Sequence, residues 1–483
     1  MDVPPLTVDR DSGVPLAVQI ADGLRGAAAG GALRPGDRLP STRSLATALG
    51  VSRTVTAAAY DQLLAEGWAE GRVGAGTYVT AVPTAPPVPT ALPVRTDPPV
   101  PTAPPAGPAR RIPARAGRAP ASPGVDPAAG PAGKPTGPGG GAPYPLDPGR
   151  PCVAALDRGM WRRAWRAAAE PDPDDAPRPD GLPEFHAAVT EHLLRHRGLV
   201  PAAVLGTAGS SAAVAELARL LPAGATVAVE DPGYRRAVSA LRAAGLRIAP
   251  VPVDDDGLVV DAIPAGCVAV YTTPAHQFPT AVRMAAARRI ALLDRARDEN
   301  LLVIEDDYDG ELRYDVAPLP LLAALAPEHV VHLGTASKIV SPTLGAGWVV
   351  APEPVLAAWR DLRARTGTRP APAGQRVFTA LAAHGDLSRH LRRLRRELRA
   401  RRDLVLAAAR DAGWSAHGDP AGAHLVLRGP SEHERVALAR DRGVDVRGLA
   451  GYHEGEPRTS GLVVGYAAGT RTDLVEALTR LTR

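Results

Sequence analysis

Twenty of the residues from Ala81 to Pro145 are proline, and large apolar side chains are almost absent among them. Such a segment buries too little surface to offset its ordering entropy, so it reads as a semi-extended linker and not as part of a core. At about 3 Å per residue in polyproline II stretches, it can span many tens of ångströms. The 483-residue chain is therefore expected to divide into a small module over residues 1–80, a Pro/Ala/Gly-rich connection over 81–145, and a large module over 146–483 with ample length for its own core. Cys152 and Cys267 are the only cysteines and make no disulfide framework. No charged-then-apolar leader follows Met1, and no apolar run reaches the roughly 18 residues of a membrane span, so a cytoplasmic chain without membrane contact is expected.

The small module reads as three helices and a hairpin. The first helix is expected within Pro15 to Ala29, and the second over Ser41 to Leu49 with Leu45, Ala46 and Leu49 inward. Gly50-Val51 makes a turn, and Ser52 caps a third helix that runs to about Glu66. Gly67-Trp68 to Val79 closes as a two-stranded wing around Gly74-Ala75-Gly76. Helix, tight turn and second helix is the arrangement that lays its second member in a DNA major groove. Seven arginines against eight acids give the module no bulk positive charge, yet Arg38, Arg43, Arg53 and Arg72 fall on the reading side. From spacing alone, a helical interaction domain with solvated arginines stays open beside DNA binding.

The large module alternates short Val/Ile/Leu runs with helical patterns, which predicts a parallel or mostly parallel sheet covered by helices. Strands are expected at Thr226 to Val229, Arg247 to Val251, Val268 to Tyr271, Leu301 to Glu305, Val330 to Leu333 and Trp348 to Val350. Ala203 to Leu205 reads as the entry to a helix beginning near Ser211. Ligands of such sheets gather at the C-terminal strand ends, and each candidate motif falls at one.

The chain has only two lysines, Lys134 in the proline tract and Lys338 in Gly334-Thr335-Ala336-Ser337-Lys338. Everywhere else a basic position is arginine, so position 338 singles out a primary amine, which condenses with an aldehyde as a guanidinium does not. Gly206 to Ser211 is a small-residue turn opening a helix, where free backbone N–H groups can cradle phosphate. Tyr234 follows Glu230-Asp231-Pro232-Gly233 and can lie against a flat heterocycle or simply pack. Glu305, Asp306, Asp307 and Asp309 surround Tyr308 at a strand end; burying them unpaired costs several kcal/mol, so they need a cation or, on the rival reading, a metal. Pyridoxal 5'-phosphate needs this set: an amine for its aldehyde, a carboxylate for its ring nitrogen, a phenol near its 3-oxygen, a ring to stack upon, and hydroxyls and amides for its phosphate.

Three stretches, Leu33 to Arg43, Leu49 to Val55 and Gly74 to Val79, resemble the winged helix-turn-helix of GntR-type bacterial regulators. From about Leu146 onward the chain resembles fold-type I aminotransferases. Thr273-Pro274-Ala275-His276-Gln277-Phe278-Pro279-Thr280, the acidic cluster and Gly334 to Lys338 resemble the effector domain of MocR/GabR regulators in particular. The resemblance implies an N-terminal, mainly α winged helix-turn-helix joined by a Pro-rich linker to an α/β fold-type I PLP-dependent aminotransferase-like domain. It implies DNA contacts at Arg43, Ser52, Arg53, Thr54 and Gly74. It also implies a Schiff base at Lys338, with Asp306 at the pyridine nitrogen, Tyr308 at the 3-oxygen, Tyr234 stacking, and Ser210, Ser211 and Thr335 at the phosphate. Strand alternation agrees in putting Asp306 and Asp307 on opposite faces, so only one of them can point into the site.

The chain departs from the family pattern at three places. The arginine that usually clamps the phosphate seven residues after the lysine is Gly345, the asparagine of the aminotransferase Asn-Pro-Thr-Gly turn is Phe278, and Val463 stands where those enzymes grip a substrate carboxylate. Arg236 matches an effector-carboxylate position of the γ-aminobutyrate-sensing branch, with a surface helix residue as its other reading. Arg447 and Arg458 are further candidates. Arg389 to Arg402 carries eight arginines on a leucine stripe, an amphipathic helix whose arginines form a solvated face or meet DNA or a partner. The expected function is a homodimeric, DNA-binding transcriptional regulator that senses an amino compound or PLP. Residual transaminase turnover is compatible with it; a working aminotransferase with a DNA tether, or a repressor with an empty pocket, are the alternatives.

Overall fold

The computed structural model describes residues 6–10, 16–29, 32–34, 36–65, 68–72, 76–79, 144–314, 320–383, 385–429 and 431–483. The linker expected over 81–145 lies almost wholly outside them, as do Lys134 and Gly74, and the side chain of Thr54.

The first module consists of α1 (Leu16–Ala29), α2 (Thr42–Leu49), α3 (Arg53–Ala65), β1 (Ala69–Arg72) and β2 (Gly76–Val79). Ser41 caps α2 by accepting from the Ser44 N–H at 3.0 Å, and Gly50 ends it at φ 62°, a left-handed conformation that suits glycine. One apolar cluster, including Ile20, Leu24, Leu45, Ala59 and Leu63, holds the three helices together. Tyr60 donates to the Pro40 carbonyl at 2.7 Å and Thr56 to that of Thr42 at 2.8 Å, which fixes α3 against the entry to α2. Antiparallel pairing from Ala69 opposite Val79 to Arg72 opposite Gly76 makes the wing.

The second module supplies the strands β3 (Tyr144–Pro145), β4 (Leu205–Thr207), β5 (Thr226–Asp231), β6 (Arg247–Asp254), β7 (Gly257–Leu258), β8 (Cys267–Thr272), β9 (Leu302–Asp307), β10 (Val330–Thr335) and β11 (Gly347–Val350). These are followed by β12 (Ser415–His417), β13 (His424–Arg428), β14 (Val444–Asp445), β15 (Arg447–Gly448) and β16 (Leu462–Gly465). Its helices are α4 (Arg158–Ala169), α5 (Pro183–Arg197), α6 (Ser210–Leu217), α7 (Arg235–Ala243), α8 (Ala286–Glu299), α9 (Leu322–Leu325), α10 (Glu353–Thr366), α11 (Pro372–Ala383), α12 (Asp386–Asp411), α13 (Glu432–Asp441) and α14 (Arg471–Thr482).

The main sheet has eight strands in the order β4-β11-β10-β9-β8-β5-β6-β7. Strands β10, β9, β8, β5 and β6 run parallel, whereas β11 is antiparallel to both β10 and β4, and β7 to β6. Alternation along each strand feeds two cores: Val227 and Val229 pack on one face with α6, α7 and α10, and Ala228 packs on the other with α5, α8, α11 and α12. Leu387, Leu391, Leu394 and Leu398 of α12 are buried, as the leucine stripe predicts. A four-stranded sheet, β12-β13-β16-β15, forms a C-terminal layer.

One expectation is corrected. The turn expected over Gly206 to Ser211 starts later, because Leu205–Thr207 is an edge strand paired with β11 through Leu205–Val349 and Thr207–Gly347, and it leads into α6 at Ser210 as the reading of Ala203 to Leu205 anticipated. Three residues are too few to carry a period of two, and the glycine and threonine imitate a turn.

Candidate functional site

Strands β5, β8, β9 and β10 run parallel and end on one side of the sheet, where Tyr308 and Asp309 after β9 and Lys338 after β10 line a narrow cleft together with Gly149 and His424. Lys338 follows β10 by three residues, and its ammonium donates to the Gly149 carbonyl. Burial lowers its pKa against the opposing pull of the Asp309 and Asp306 carboxylates, with Arg236 lowering it further. An amine so placed gives up its proton more readily than a surface lysine, which favours its nucleophilic form.

Asp306, near the end of β9, is 3 % exposed. The Tyr271 hydroxyl donates to its Oδ2 at 2.6 Å, while Oδ1 is buried without a hydrogen-bond partner. Burial pushes this carboxyl up to about 6, despite the Tyr271 hydrogen bond and the His332, Ser210 and Lys338 groups that favour its charge. The next residue faces the other way: Asp307 takes two 2.8 Å bonds from Arg197. The remaining acids of the cluster have separate partners as well. Glu305 accepts from the Leu322 and Ala323 N–H groups at the start of α9, and Asp309 lies 2.9 Å from His276 Nδ1.

Tyr308 donates to the His276 carbonyl at 2.8 Å, and its oxygen lies 3.1 Å from His276 Nδ1. Tyr234 precedes α7; its hydroxyl is 3.2 Å from Ser211 Oγ and its ring meets Phe278 edge-on at 5.6 Å. Burial raises the Tyr234 pKa and the charge of Asp306 raises it further, against the hydrogen bond with Ser211. Ser210 and Ser211 open α6 after Gly209 at φ 119°. A Cβ built on Gly209 would lie 3.6 Å from Thr335 Oγ1 and 3.9 Å from Ser337 Oγ, so two hydroxyls and the first N–H groups of α6 border one small space.

These residues fit pyridoxal phosphate on three counts. Lys338 offers the amine, the unmet Asp306 Oδ1 offers an acceptor for a ring N–H, and the glycine-lined hollow beside Ser210, Ser211 and Thr335 offers phosphate donors. Arg236 is exposed at the second position of α7, yet close enough for its charge to act on Tyr234 and Lys338. Arg447 and Arg458 are engaged elsewhere, at 3.2 Å from Asp147 and 2.8 Å from Asp231. Val463 is fully buried. Gly345 ends a short turn at φ 53° with open space around a built Cβ, and as glycine it offers the cleft no guanidinium.

In the first module Arg43 is exposed in the first turn of α2, and Ser52 and Arg53 are exposed at the start of α3. Ser52 Oγ accepts from the Val55 N–H at 3.4 Å and so caps α3.

The sequence reading did not single out Tyr271, which orients Asp306, nor the buried group His276, Asp309 and His424. The Tyr271 signal was available in its position at the end of a predicted strand. His424 sits on the distant strand β13, and burial holds its imidazole pKa well below the usual value, with the charges of His276 and Lys338 adding to the effect.

Residues 16–79 match the model of the bacterial regulatory proteins of the gntR family, and residues 152–481 that of aminotransferase class I and II. The chain is 32% identical over 468 residues to the HTH-type pyridoxine biosynthesis transcriptional regulator PdxR of Corynebacterium glutamicum, covering 96% of this chain and 94% of that one. It is also 32% identical over 476 residues to the probable rhizopine catabolism regulatory protein MocR of Rhizobium meliloti, covering 96% and 92%. Among solved structures it resembles LysN, the α-aminoadipate aminotransferase of Thermus thermophilus, with TM-score 0.64 and 24% identity over 71% of this chain and 91% of that one, a likeness of fold. A reader and an aminotransferase-type domain in this order, with relatives matched along nearly their whole length, place the chain in the MocR/GabR-type subfamily of GntR transcriptional regulators.

Proposed function

We propose that this regulator binds pyridoxal phosphate at Lys338 and uses the occupied cleft to sense an amino compound or the vitamer itself. The observation that carries the reading is Asp306: a buried carboxylate anchored by Tyr271 through one oxygen with the other unmet, whose charge acts on the buried lysine amine. A protonated pyridine nitrogen is the group that would satisfy that oxygen and hold the carboxylate charged. When bound, the cofactor supplies an aldehyde that condenses with primary amines. Lys338 would hold that aldehyde, Tyr308 the 3-oxygen, the Tyr234 ring the pyridine face, and Ser210, Ser211 and Thr335 the phosphate. DNA would be read by Arg43, Ser52, Arg53, Thr54 and Gly74, in a cytoplasmic homodimer.

Two substitutions bear on the effector. Without an arginine at 345 the phosphate lacks a bidentate clamp, so occupancy should be weaker and more responsive to supply. Without one at 463, an amino-acid effector depends on Arg236 for its carboxylate. Sensing of the vitamer agrees with the first trait and with the name of the Corynebacterium relative. A ligand shifts the DNA-binding equilibrium only by its differential affinity for the two arrangements of the protein.

The test is an absorbance titration of purified protein with pyridoxal phosphate, then with amino compounds, alongside a transaminase assay with keto acids. A visible band that shifts with an amine, without keto-acid turnover, is expected. Sustained turnover would make the chain an aminotransferase with a DNA tether, and no band at any cofactor concentration would leave a repressor with a vestigial pocket.

A further inference from the structure

Helices α4 and α12 are bridged near their N-terminal ends by Arg163 to Asp386 at 3.4 Å and Arg393 to Asp157 at 3.6 Å. Each buries one face, Met160 and Ala164 on α4 and Leu391, Leu394 and Leu398 on α12. Away from those buried faces α4 carries Arg158, Arg162 and Arg166, four residues apart, and α12 carries Arg392, Arg396 and Arg399. All six are exposed, and none has an ion-pair partner among the described residues. No acidic residue occurs within α4, although Glu170 caps its C-terminal end and exposed Asp172, Asp174 and Asp175 follow. The single acid between Leu387 and Arg402, Glu397, is taken up by Arg401 at 2.8 Å and Arg471 at 2.6 Å.

Exposed protein surface normally mixes the two signs, because unpaired like charges repel and work against the compact state. Arginine identity carries no weight in a chain with two lysines; the weight rests on six exposed arginines left without an ion-pair partner among the described residues. We infer that this face is a second DNA surface, which takes the phosphate backbone of duplex flanking the segment held by the winged helix-turn-helix. Duplex DNA carries about one charge per 1.7 Å of axis, and Arg158 to Arg166 spans about 12 Å of helix, so the row is commensurate with a phosphate track. The six basic residues against two acidic ones between Ala81 and Pro145 extend the same charge preference into the connection. Contacts of this kind position DNA and release counterions without reading bases.

The inference rests on the DNA-binding role of the first module, and the experiment separates the two. Fluorescence anisotropy would measure wild-type affinity for random-sequence duplexes of roughly 20 and roughly 60 base pairs across salt. Two triple variants, R158Q/R162Q/R166Q and R392Q/R396Q/R399Q, change exposed positions on separate helices, so misfolding of one leaves the other informative. Each should weaken binding to the long duplex about tenfold and flatten its log–log salt slope by about 2 to 3, with under about a twofold effect on the short one. The reader variant R43A/R53A should weaken both duplexes; if it leaves both unchanged, the role of the first module fails instead. Wild-type behaviour of both triple variants on the long duplex overturns the proposal. So does a change in their mass by light scattering, which would make the face a subunit interface.

Discussion

The two faces of strand β9 handle neighbouring carboxylates in opposite ways. Asp307 faces a closed set of partners: Arg197 gives it two bonds, and His192 and Glu311 form a buried pair at 2.8 Å close by. Asp306 faces the cleft with one oxygen held and one unmet. Sequence neighbours of the same residue type thus differ in what removal of their surroundings should cost. The first is a matter of stability, the second of ligand binding.

The sharpest test of that contrast lies on the cleft side. Lys338→Ala should abolish covalent retention of the vitamer after borohydride reduction and peptide mapping, while wild type retains it at position 338. Retention elsewhere in the wild-type chain would remove the cleft from consideration. On the closed side, Arg197→Ala leaves Asp307 buried and uncompensated and should cost about 3–5 kcal/mol in urea unfolding. A cost under about 1 kcal/mol would show that water reaches Asp307 and that the two faces are alike.

A subtler break comes from pH. With its carboxyl raised to about 6 in the folded, cofactor-free protein, Asp306 binds its proton more tightly folded than unfolded. Its contribution is therefore favourable below the ordinary carboxylate value near 3.9 and is lost as pH rises towards about 6, after which it stays flat. Asp306→Asn should gain melting temperature relative to wild type between about pH 4.5 and 7 while binding the vitamer less tightly. Equal differences at both pH values would contradict the strained carboxylate. The smallest effect is expected at Gly345. Gly345→Arg restores a guanidinium at a left-handed position, costing about 1 kcal/mol of stability by calorimetry and improving vitamer affinity up to about tenfold.

The parts legible in the sequence are those written in local chemistry. Ser41, Gly50 and Ser52 mark helix ends by side-chain caps and a left-handed turn, and the Val/Ile/Leu runs mark the parallel strands, because each signal spans only a few residues. The choice of Asp306 over Asp307 came from the family resemblance, and alternation along a strand required only that one of the two face the cleft. What stayed hidden depends on residues far apart in the chain. Arg197 meets Asp307 across 110 positions, and neither residue carries a local mark of the other. His424 joins His276 only because β13 folds back over the cleft. The edge strand Leu205–Thr207 was too short to show a period, and it exists because β11 supplies its hydrogen bonds.

The scarcity of lysine in this chain gives the cleft an intrinsic gauge. A mild acylating reagent has only two ε-amines to choose between, and on the proposed reading a bound aldehyde would mask the one at 338. After digestion, the modified fraction of the peptide bearing it counts the vacant sites by mass spectrometry, so occupancy could be followed inside cells without a reporter gene or an assumed effector.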